Sequence, residues 1–421
     1  MEVTLQKAEE IDIRVSAPPS KSYTHRALIT SALADGRSVL EYPLYSTDTA
    51  VTENGLARLG VRIDRNGERM VVQGCGGALD CREGTELLMG DSGTSCRFLT
   101  SVALLCGNPV TITGSPRLNE RPIGGLVGAL NSIGGRIRFL GPPGFPPILV
   151  EGELAGGAVS VEGSVSSQYA SSLLLAAPCA RSPVELALPP GGVSLAYLDV
   201  TADVMASFGV SLQRRGYEHF RVVPAPYRAR NYRIEGDYSS ASYFFAIAAV
   251  CGGRVRVDNL NPASVQGDRR LLDALVGMGC TVSSHGSTIA LESDGCLQGI
   301  ERDMSASPDI VQTLCMVAAK AGSPSRFTGI SHLEFKESDR IRAIIGVIQA
   351  LGGEASCEKG AITIRPAPLH GGVIDAGNDH RTAMSAAVLG LAVGAVTITG
   401  AECVSKSFPD FWKILNEVGL I

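Results

Sequence analysis

Leu59-Gly60-Val61-Arg62-Ile63 ends a predicted amphipathic helix at a glycine and then enters a predicted strand. The same helix ending recurs along the chain at Gly134, Gly209, Gly279, Gly352 and Gly419. Glycine is favoured just after a helix because it adopts the left-handed conformation without a steric penalty. These glycines lie roughly 70 residues apart, and such a period indicates internal repeats of one supersecondary unit.

A second set of helices keeps the same spacing. Their bodies are apolar on nearly every side, as in residues 98–105 and 243–250, and helices of that kind belong inside a domain. Their predicted starts lie near Ser22, Gly93, Ser167, Ser240, Asp309 and Asp379. Each repeat therefore holds one buried helix, one amphipathic helix and several strands. Six such repeats favour an α/β protein of two three-repeat domains over a continuous solenoid, because a closed threefold cluster buries its central helices.

Composition narrows the function classes. The chain has 421 residues and a net charge of −5, with a pI of about 5.8, and this acidity argues against a nucleic-acid partner. Eleven cysteines are scattered singly without a C-x-x-C pair, which argues against a structural zinc site. Their odd number, and a start without a signal peptide, indicate a cytoplasmic protein.

One uncharged stretch, residues 382–401, has the length of a membrane span. Gly390, Gly394 and Gly400 interrupt it, and residues 396–399 alternate like a strand. The sequence therefore predicts a buried helix followed by a strand, and no membrane partner.

Cations stand at the predicted helix starts, where backbone N–H groups and the helix dipole attract anions. They are Lys21, Arg26, Arg121, Lys336, Arg340, Arg381 and Lys406. Such cations suit a compact ligand with several phosphate or carboxylate groups. Ordinary alternatives stay open: Ser20, Ser22 and Asp309 could serve only as helix caps. The pattern indicates an enzyme for small polyanions.

Taken in order, these motifs resemble those of the 5-enolpyruvylshikimate-3-phosphate (EPSP) synthase family across essentially the whole chain. The motifs are Ser20-Lys21-Ser22, Glu120-Arg121-Pro122-Ile123, Ser166-Ser167-Gln168, Glu235-Gly236-Asp237, Lys336-Glu337-Ser338-Asp339-Arg340, Asn378-Asp379-His380-Arg381 and Lys406-Ser407-Phe408-Pro409-Asp410. The resemblance implies two domains, each a pseudo-threefold cluster of βαβαββ repeats with buried helices, an inside-out α/β barrel. Residues 19–237 would form the N-terminal domain, and residues 1–18 plus 238–421 the C-terminal one, which the N-terminal strand joins. Ligands would bind in the cleft between the domains.

The resemblance also implies ligand sites. Shikimate 3-phosphate would meet Lys21, Ser22, Arg26, Ser166, Ser167, Gln168, Ser194, Tyr197, Asp309 and Lys336. Phosphoenolpyruvate would meet Lys21, Gly93, Arg121, Gln168, Arg340, Arg381 and Lys406. Asp309, Glu337, Lys21 and Lys336 would be catalytic.

The implied reaction is a carboxyvinyl transfer in the shikimate pathway, which leads to chorismate and the aromatic amino acids. The 5-hydroxyl of shikimate 3-phosphate adds to C2 of phosphoenolpyruvate, and a tetrahedral intermediate then loses phosphate. No metal or organic cofactor is implied, and we expect a monomer.

Three other functions are alternatives to this carboxyvinyl transfer. The sister transferase that acts on UDP-N-acetylglucosamine should carry a reactive cysteine near Arg121, and residues 115–119 hold none. An RNA 3′-phosphate cyclase should show basic RNA-facing patches. A non-catalytic polyanion-binding protein would gain nothing from Asp309 and Glu337. The chain departs from the family at His25, where Asn is common, and at Asp91-Ser92, where many members have Asn-Ala.

Overall fold

The computed structural model describes residues 1–162 and 166–421. The chain divides into two compact units, each with its own hydrophobic core. The discontinuous unit contains Met1–Ser20 and Glu235–Ile421, and the continuous unit contains Lys21–Ile234.

Helices and strands alternate along both units. The α-helices are α1 (Lys21–Leu33), α2 (Thr47–Arg58), α3 (Gly93–Ala103), α4 (Pro116–Asn119), α5 (Gly124–Ser132), α6 (Gln168–Ala176), α7 (Ala196–Ser207), α8 (Tyr238–Cys251), α9 (Arg270–Gly277), α10 (Val311–Ala318), α11 (Arg340–Ala350), α12 (His380–Val393) and α13 (Phe411–Glu417). The strands are β1 (Glu2–Leu5), β2 (Ile11–Ser16), β3 (Asp35–Glu41), β4 (Arg62–Asn66), β5 (Arg69–Cys75), β6 (Thr85–Leu88), β7 (Val110–Thr113), β8 (Gly135–Phe139), β9 (Ile148–Gly152), β10 (Gly157–Ser160), β11 (Val184–Ala187), β12 (Gln213–Arg215), β13 (His219–Val222), β14 (Asn231–Arg233), β15 (Gly253–Asp258), β16 (Thr281–His285), β17 (Thr288–Ser293), β18 (Glu301–Asp303), β19 (Ser325–Thr328), β20 (Glu354–Glu358), β21 (Ala361–Arg365), β22 (Gly372–Asp375) and β23 (Val396–Thr399).

Each repeat forms one small sheet. In the continuous unit the strand orders are β14-β3-β5-β4, β6-β7-β9-β8 and β10-β11-β13-β12. In the discontinuous unit they are β2-β15-β17-β16, β18-β19-β21-β20 and β22-β23-β1. The first two strands of every order are parallel. Within a complete repeat such as β6-α3-β7-α5-β8-β9, the buried helix connects the parallel pair and the amphipathic helix leads to an antiparallel hairpin.

Three strands complete repeats that are remote from them in sequence. Strand β14 pairs with β3, with Asn231 opposite Val39, and so supplies the first strand of the first repeat. Strand β2 pairs with β15, with Ile13 opposite Val255, and so supplies the first strand of the first repeat in the discontinuous unit. Strand β1 pairs antiparallel with β23. Long-range strand pairing therefore completes each unit.

The predicted helix ends are confirmed. Each of the six glycines follows an amphipathic helix by two residues and has a φ between 75° and 112°. The apolar helices are buried along almost their whole length, as in α8 and α12. The predicted helix and strand within residues 382–401 correspond to α12 and β23. No helix in the described ranges is long and apolar enough to cross a membrane.

We predict that Gly60→Ala destabilises the protein by about 1–3 kcal/mol, because Gly60 has a φ of +93° and a Cβ there would lie 2.5 Å from the Asp80 carbonyl oxygen. The matched control is Gly128→Ala in α5, where a Cβ would meet no atom within 4 Å. That change should be neutral or stabilise the helix by up to about 1 kcal/mol. Melting temperatures of both variants check this, and a Gly60→Ala protein that melts with or above the wild type would contradict it.

Candidate functional site

In the continuous unit, the predicted site begins at the first turn of α1. Lys21 is the first residue of that helix, and its Nζ lies 3.0 Å from the Asp48 carboxylate. Both side chains are largely buried. Ser22 is half-buried, and its carbonyl oxygen accepts a hydrogen bond from Arg26 Nη1 at 3.0 Å. Lys21, Ser22 and Arg26 are thus held together at one helix start.

Arg26 is a buried cation with neutral partners. Besides the Ser22 carbonyl oxygen, its guanidinium donates to Thr201 Oγ1 at 2.8 Å, Ser171 Oγ at 3.3 Å and the Tyr197 carbonyl oxygen at 3.2 Å. Burial lowers the pKa of Arg26 to about 10. Within the described part of the chain no carboxylate pairs with it. A buried charge held in this way is suited to an anionic ligand.

At the start of α3, the guanidinium groups of Arg97 and Arg121 lie next to Gly93. A Cβ on Gly93 would lie 2.6 Å from Arg97 Nη1 and 2.8 Å from Arg121 Nη1, so a larger residue would displace them. Gln168, the first residue of α6, accepts from Arg97 Nη1 at 2.8 Å and donates to Thr94 Oγ1 at 3.0 Å. Gly93 and Arg121 therefore lie together, and Gln168 is connected to them through Arg97 and Thr94.

The remaining predicted residues of this unit are serines and a tyrosine. Ser194 has a φ of +59° and is 4% exposed, and its hydroxyl has no hydrogen-bond partner among the described residues. A strained, unsatisfied buried hydroxyl is a typical sign of a ligand site. Ser166 Oγ accepts from the Gln168 backbone N–H, and Ser167 is buried beside it. Tyr197 lies in the first turn of α7.

In the discontinuous unit, Arg340 is the centre of the predicted site. It is the first residue of α11, is only 2% exposed, and pairs with three carboxylates. The distances are 3.2 Å to Asp309, 2.7 Å to Glu337 and 2.9 Å to Asp379. Burial alone would lower the pKa of Arg340, but these carboxylates raise it above its usual value. The protein itself thus supplies the counter-charge that this helix-start cation requires.

Asp309 lies between two arginines. Its Oδ2 is 2.9 Å from Arg381 Nη2, and its Oδ1 faces Arg340. The interpretation of Asp309 as a mere helix cap is wrong, since it lies inside the 3₁₀ turn Pro308–Ile310 and its carboxylate pairs with both guanidinium groups. Asp379, by contrast, does cap the helix that follows it, α12. Its carboxylate accepts from the Arg381 backbone N–H at 2.9 Å.

Two lysines complete this group. Lys406 ends the 3₁₀ turn Ala401–Lys406, and its Nζ lies 3.9 Å from Glu337 Oε1. Lys336 is half-buried and immediately precedes Glu337. Glu337 therefore contacts both Arg340 and Lys406. The cations around Glu337 favour its ionised form.

Comparisons with known proteins identify the family of this chain. The family model for EPSP synthase (3-phosphoshikimate 1-carboxyvinyltransferase) matches residues 5–415. The chain belongs to the EPSP synthase family. It is 52% identical to the 3-phosphoshikimate 1-carboxyvinyltransferase of Methanoculleus marisnigri and 53% identical to that of Methanosphaerula palustris, each over the full length of both chains. An EPSP synthase structure from Acinetobacter baumannii is similar to it with a TM-score of 0.82 at 26% identity. The match covers 100% of this chain and 98% of the Acinetobacter chain.

Membership of the EPSP synthase family confirms the predicted fold and reaction class. The roles of individual residues stay predictions. Among the described residues, no group of three or more His, Cys, Asp or Glu side chains could hold a metal ion.

Sequence reasoning missed two residues of these clusters. Arg97 is 4% exposed and contacts Gln168, and its place one turn after Gly93 on a buried helix could have identified it. Asp268 is also 4% exposed and accepts a hydrogen bond from the Ser239 hydroxyl. Burial, and secondly the charge of Asp309, raise the pKa of Asp268 to about 7. Its sequence neighbours carry no signal for this.

Asp268 should make the stability pH-dependent. Its pKa is higher in the folded protein than the ordinary value near 4, so its favourable protonated form is lost as the pH rises from about 4 to about 7. The free energy of unfolding of the wild type should therefore fall by up to about 4 kcal/mol over this range. We predict that this fall is absent in Asp268→Asn. Melting temperatures between pH 4 and pH 8 check this, with the exposed Asp273→Asn as control. Parallel wild-type and Asp268→Asn profiles would contradict it.

Proposed function

We propose that this protein transfers the enolpyruvyl group of phosphoenolpyruvate to the 5-hydroxyl of shikimate 3-phosphate and releases inorganic phosphate. The observation that carries the proposal is the Arg340–Asp309–Arg381 arrangement in a member of the EPSP synthase family. Two buried guanidinium groups there already hold one carboxylate, and a substrate carboxylate could be bound in the same manner.

Shikimate 3-phosphate is assigned to the side chains of Lys21, Ser22, Arg26, Ser166, Ser167, Gln168, Ser194, Tyr197, Asp309 and Lys336. Ser22 and Arg26 would bind its carboxylate, and Lys21 would add a further positive charge. Support comes from Arg26, a buried cation whose described partners are all neutral oxygens.

Three serines, Ser166, Ser167 and Ser194, would donate to the phosphate group of shikimate 3-phosphate, while Gln168 and Tyr197 would lie beside its ring. Support comes from Ser194, because its strained backbone and unsatisfied buried hydroxyl are costs that a bound phosphate would offset.

Phosphoenolpyruvate is assigned to Lys21, which it would share with shikimate 3-phosphate, and to further cations. Its phosphate would meet the Gly93 backbone and the side chains of Lys21, Arg121, Gln168 and Lys406. The α3 start supports this, because the helix dipole and two guanidinium groups converge on a residue that lacks a Cβ. Its carboxylate would bind Arg340 and Arg381, both of which pair with carboxylates in the structure.

The reaction would proceed by addition and then elimination. Asp309, helped by Lys336, would accept the proton of the 5-hydroxyl as its oxygen bonds to C2, while C3 gains a proton. The tetrahedral intermediate would then lose that C3 proton and expel phosphate. Glu337 and Lys21 would shuttle the C3 proton and protonate the leaving phosphate. The surrounding cations stabilise the charge that develops on both groups. These steps need no cofactor.

We predict that Lys21→Met and Asp309→Ala each lower kcat by at least about 100-fold, because each removes a proton-transferring group. The matched control is Lys413→Met, whose side chain is 68% exposed and pairs with Glu417. Phosphate release at saturating substrate measures the rates, and circular dichroism checks that the variants fold. A near-normal rate in either variant would remove that residue from the mechanism.

Phosphorus NMR of the protein with shikimate 3-phosphate and phosphoenolpyruvate tests the function itself. The proposal predicts loss of the phosphoenolpyruvate signal, with inorganic phosphate and one new sugar-phosphate signal appearing. Unchanged spectra would contradict the proposal. Turnover with UDP-N-acetylglucosamine in place of the shikimate would then assign the protein to the sister transferase.

A further inference from the structure

His25 is a buried histidine that the proposed mechanism does not use. It lies on α1, one helical turn after Lys21, and has no exposed surface. Its Nδ1 is 2.7 Å from Thr52 Oγ1 on α2. Its Nε2 is buried without a hydrogen-bond partner among the described residues. A buried imidazole with only one bonded nitrogen calls for an explanation.

The contact with Thr52 is the first of a series of short hydrogen bonds. Thr52 Oγ1 lies 2.7 Å from Ser95 Oγ, and Ser95 Oγ lies 2.7 Å from Ser92 Oγ. Ser95 Oγ also donates to the Asp48 carbonyl oxygen at 3.2 Å. We call His25, Thr52, Ser95 and Ser92 the hydroxyl relay. It connects α1, α2 and α3 entirely within the buried interior of the continuous unit.

One arrangement of protons uses every hydrogen bond of the relay. The Asp48 carbonyl oxygen can only accept, so in this arrangement it takes the proton of Ser95. Ser95 then accepts from both Ser92 and Thr52, and Thr52 accepts from His25 Nδ1–H. Burial lowers the pKa of His25 to about 3, so the ring stays neutral at physiological pH. His25 therefore pairs with Thr52 as a neutral ring, through Nδ1, at one end of the relay.

The relay is connected to two predicted ligand-binding positions, one at its Ser92 end and one through a branch at Ser95. Ser92 caps α3 by accepting from the Ser95 backbone N–H, and Gly93 follows it. Asp48, whose carbonyl oxygen accepts from Ser95, also binds Lys21 through its carboxylate. The relay therefore sets the position of the α3 start relative to Lys21.

We propose that His25 is a positioning residue that holds Ser92 and Gly93 in place for the phosphate of phosphoenolpyruvate. The choice of ligand rests on the proposed function, whereas the mechanical role rests on the hydroxyl relay. His25 acts through Thr52 and Ser95 and does not itself touch the substrate. Its loss should therefore weaken binding of one substrate and leave the chemical step nearly unchanged.

The test is steady-state kinetics of His25→Leu and Thr52→Val. Each should raise KM for phosphoenolpyruvate about tenfold, the loss expected from one buried hydrogen bond in a binding site. We expect kcat within about threefold of the wild type and an unchanged KM for shikimate 3-phosphate. His25→Asn should restore the wild-type KM, because an atom of its amide group occupies the place of Nδ1 and can pair with Thr52. The variant that combines His25→Leu and Thr52→Val should have a KM for phosphoenolpyruvate no higher than either single variant, because both changes break the same series of hydrogen bonds.

The matched control is Thr30→Val on the same helix. The Thr30 hydroxyl is fully buried and, within the described ranges, bonds only to backbone carbonyl oxygens of α1, so its loss should alter stability without altering KM. Should His25→Leu fail to fold, Ser95→Ala replaces it, with the same expected rise. Wild-type KM in the relay variants, or equal rises in both KM values, would overturn the proposal.

Titration with inorganic phosphate separates this inference from the proposed function. The wild type should bind phosphate about tenfold more tightly than His25→Leu, even if no turnover of phosphoenolpyruvate occurs. Absent turnover in the wild type would thus contradict only the proposed function. Equal phosphate affinities, or no measurable binding by the wild type, would contradict the positioning role.

Discussion

Burying a charge is unfavourable unless counter-charge or hydrogen bonds compensate it, and this constraint decides where the cations of this protein can lie. Arg340 satisfies it with three carboxylates, from the turn that holds Asp309, from Glu337 and from the capping residue of α12. One guanidinium group thereby fixes the starts of two helices. Removing it would leave the fully buried Asp379 without its principal counter-charge, so this ion cluster supports both the fold and the site.

Two arginines of the continuous unit satisfy the same constraint in another way, although Lys21 there pairs with the Asp48 carboxylate. Arg26 is surrounded by hydroxyl and carbonyl oxygens, and Arg97 contacts a glutamine and a carbonyl oxygen. These neutral partners compensate hydrogen-bonding capacity but not charge. An arrangement of this kind favours ligands that bring negative charge with them. In the discontinuous unit, Arg340 and Arg381 lie beside carboxylates of the protein itself. The arginines of the two units therefore differ in how much of their positive charge the protein already compensates.

Much of the architecture is readable from the sequence because its signals are local. A left-handed glycine such as Gly60 and an all-apolar helix such as α8 need no knowledge of the rest of the chain. The pairing of β14 with β3 escaped local reasoning, since its partners are separated by about 190 residues. Arg97 and Asp268 were missed for a related reason: their importance comes from burial against distant side chains. The resemblance to a family indicated the other site residues, and it could not indicate that Asp309 already pairs with two arginines.

A crystal structure with shikimate 3-phosphate and an unreactive phosphoenolpyruvate analogue tests the central claim most directly, namely that the helix-start cations bind the substrate anions. The account predicts the carboxylate of the analogue on Arg340 and Arg381, and its phosphate on the Gly93 backbone and Arg121. Shikimate 3-phosphate should occupy Ser194 and Arg26. Analogue bound elsewhere, with the Arg340 and Arg381 ion pairs unchanged and the Ser194 hydroxyl still without a partner, would contradict the account.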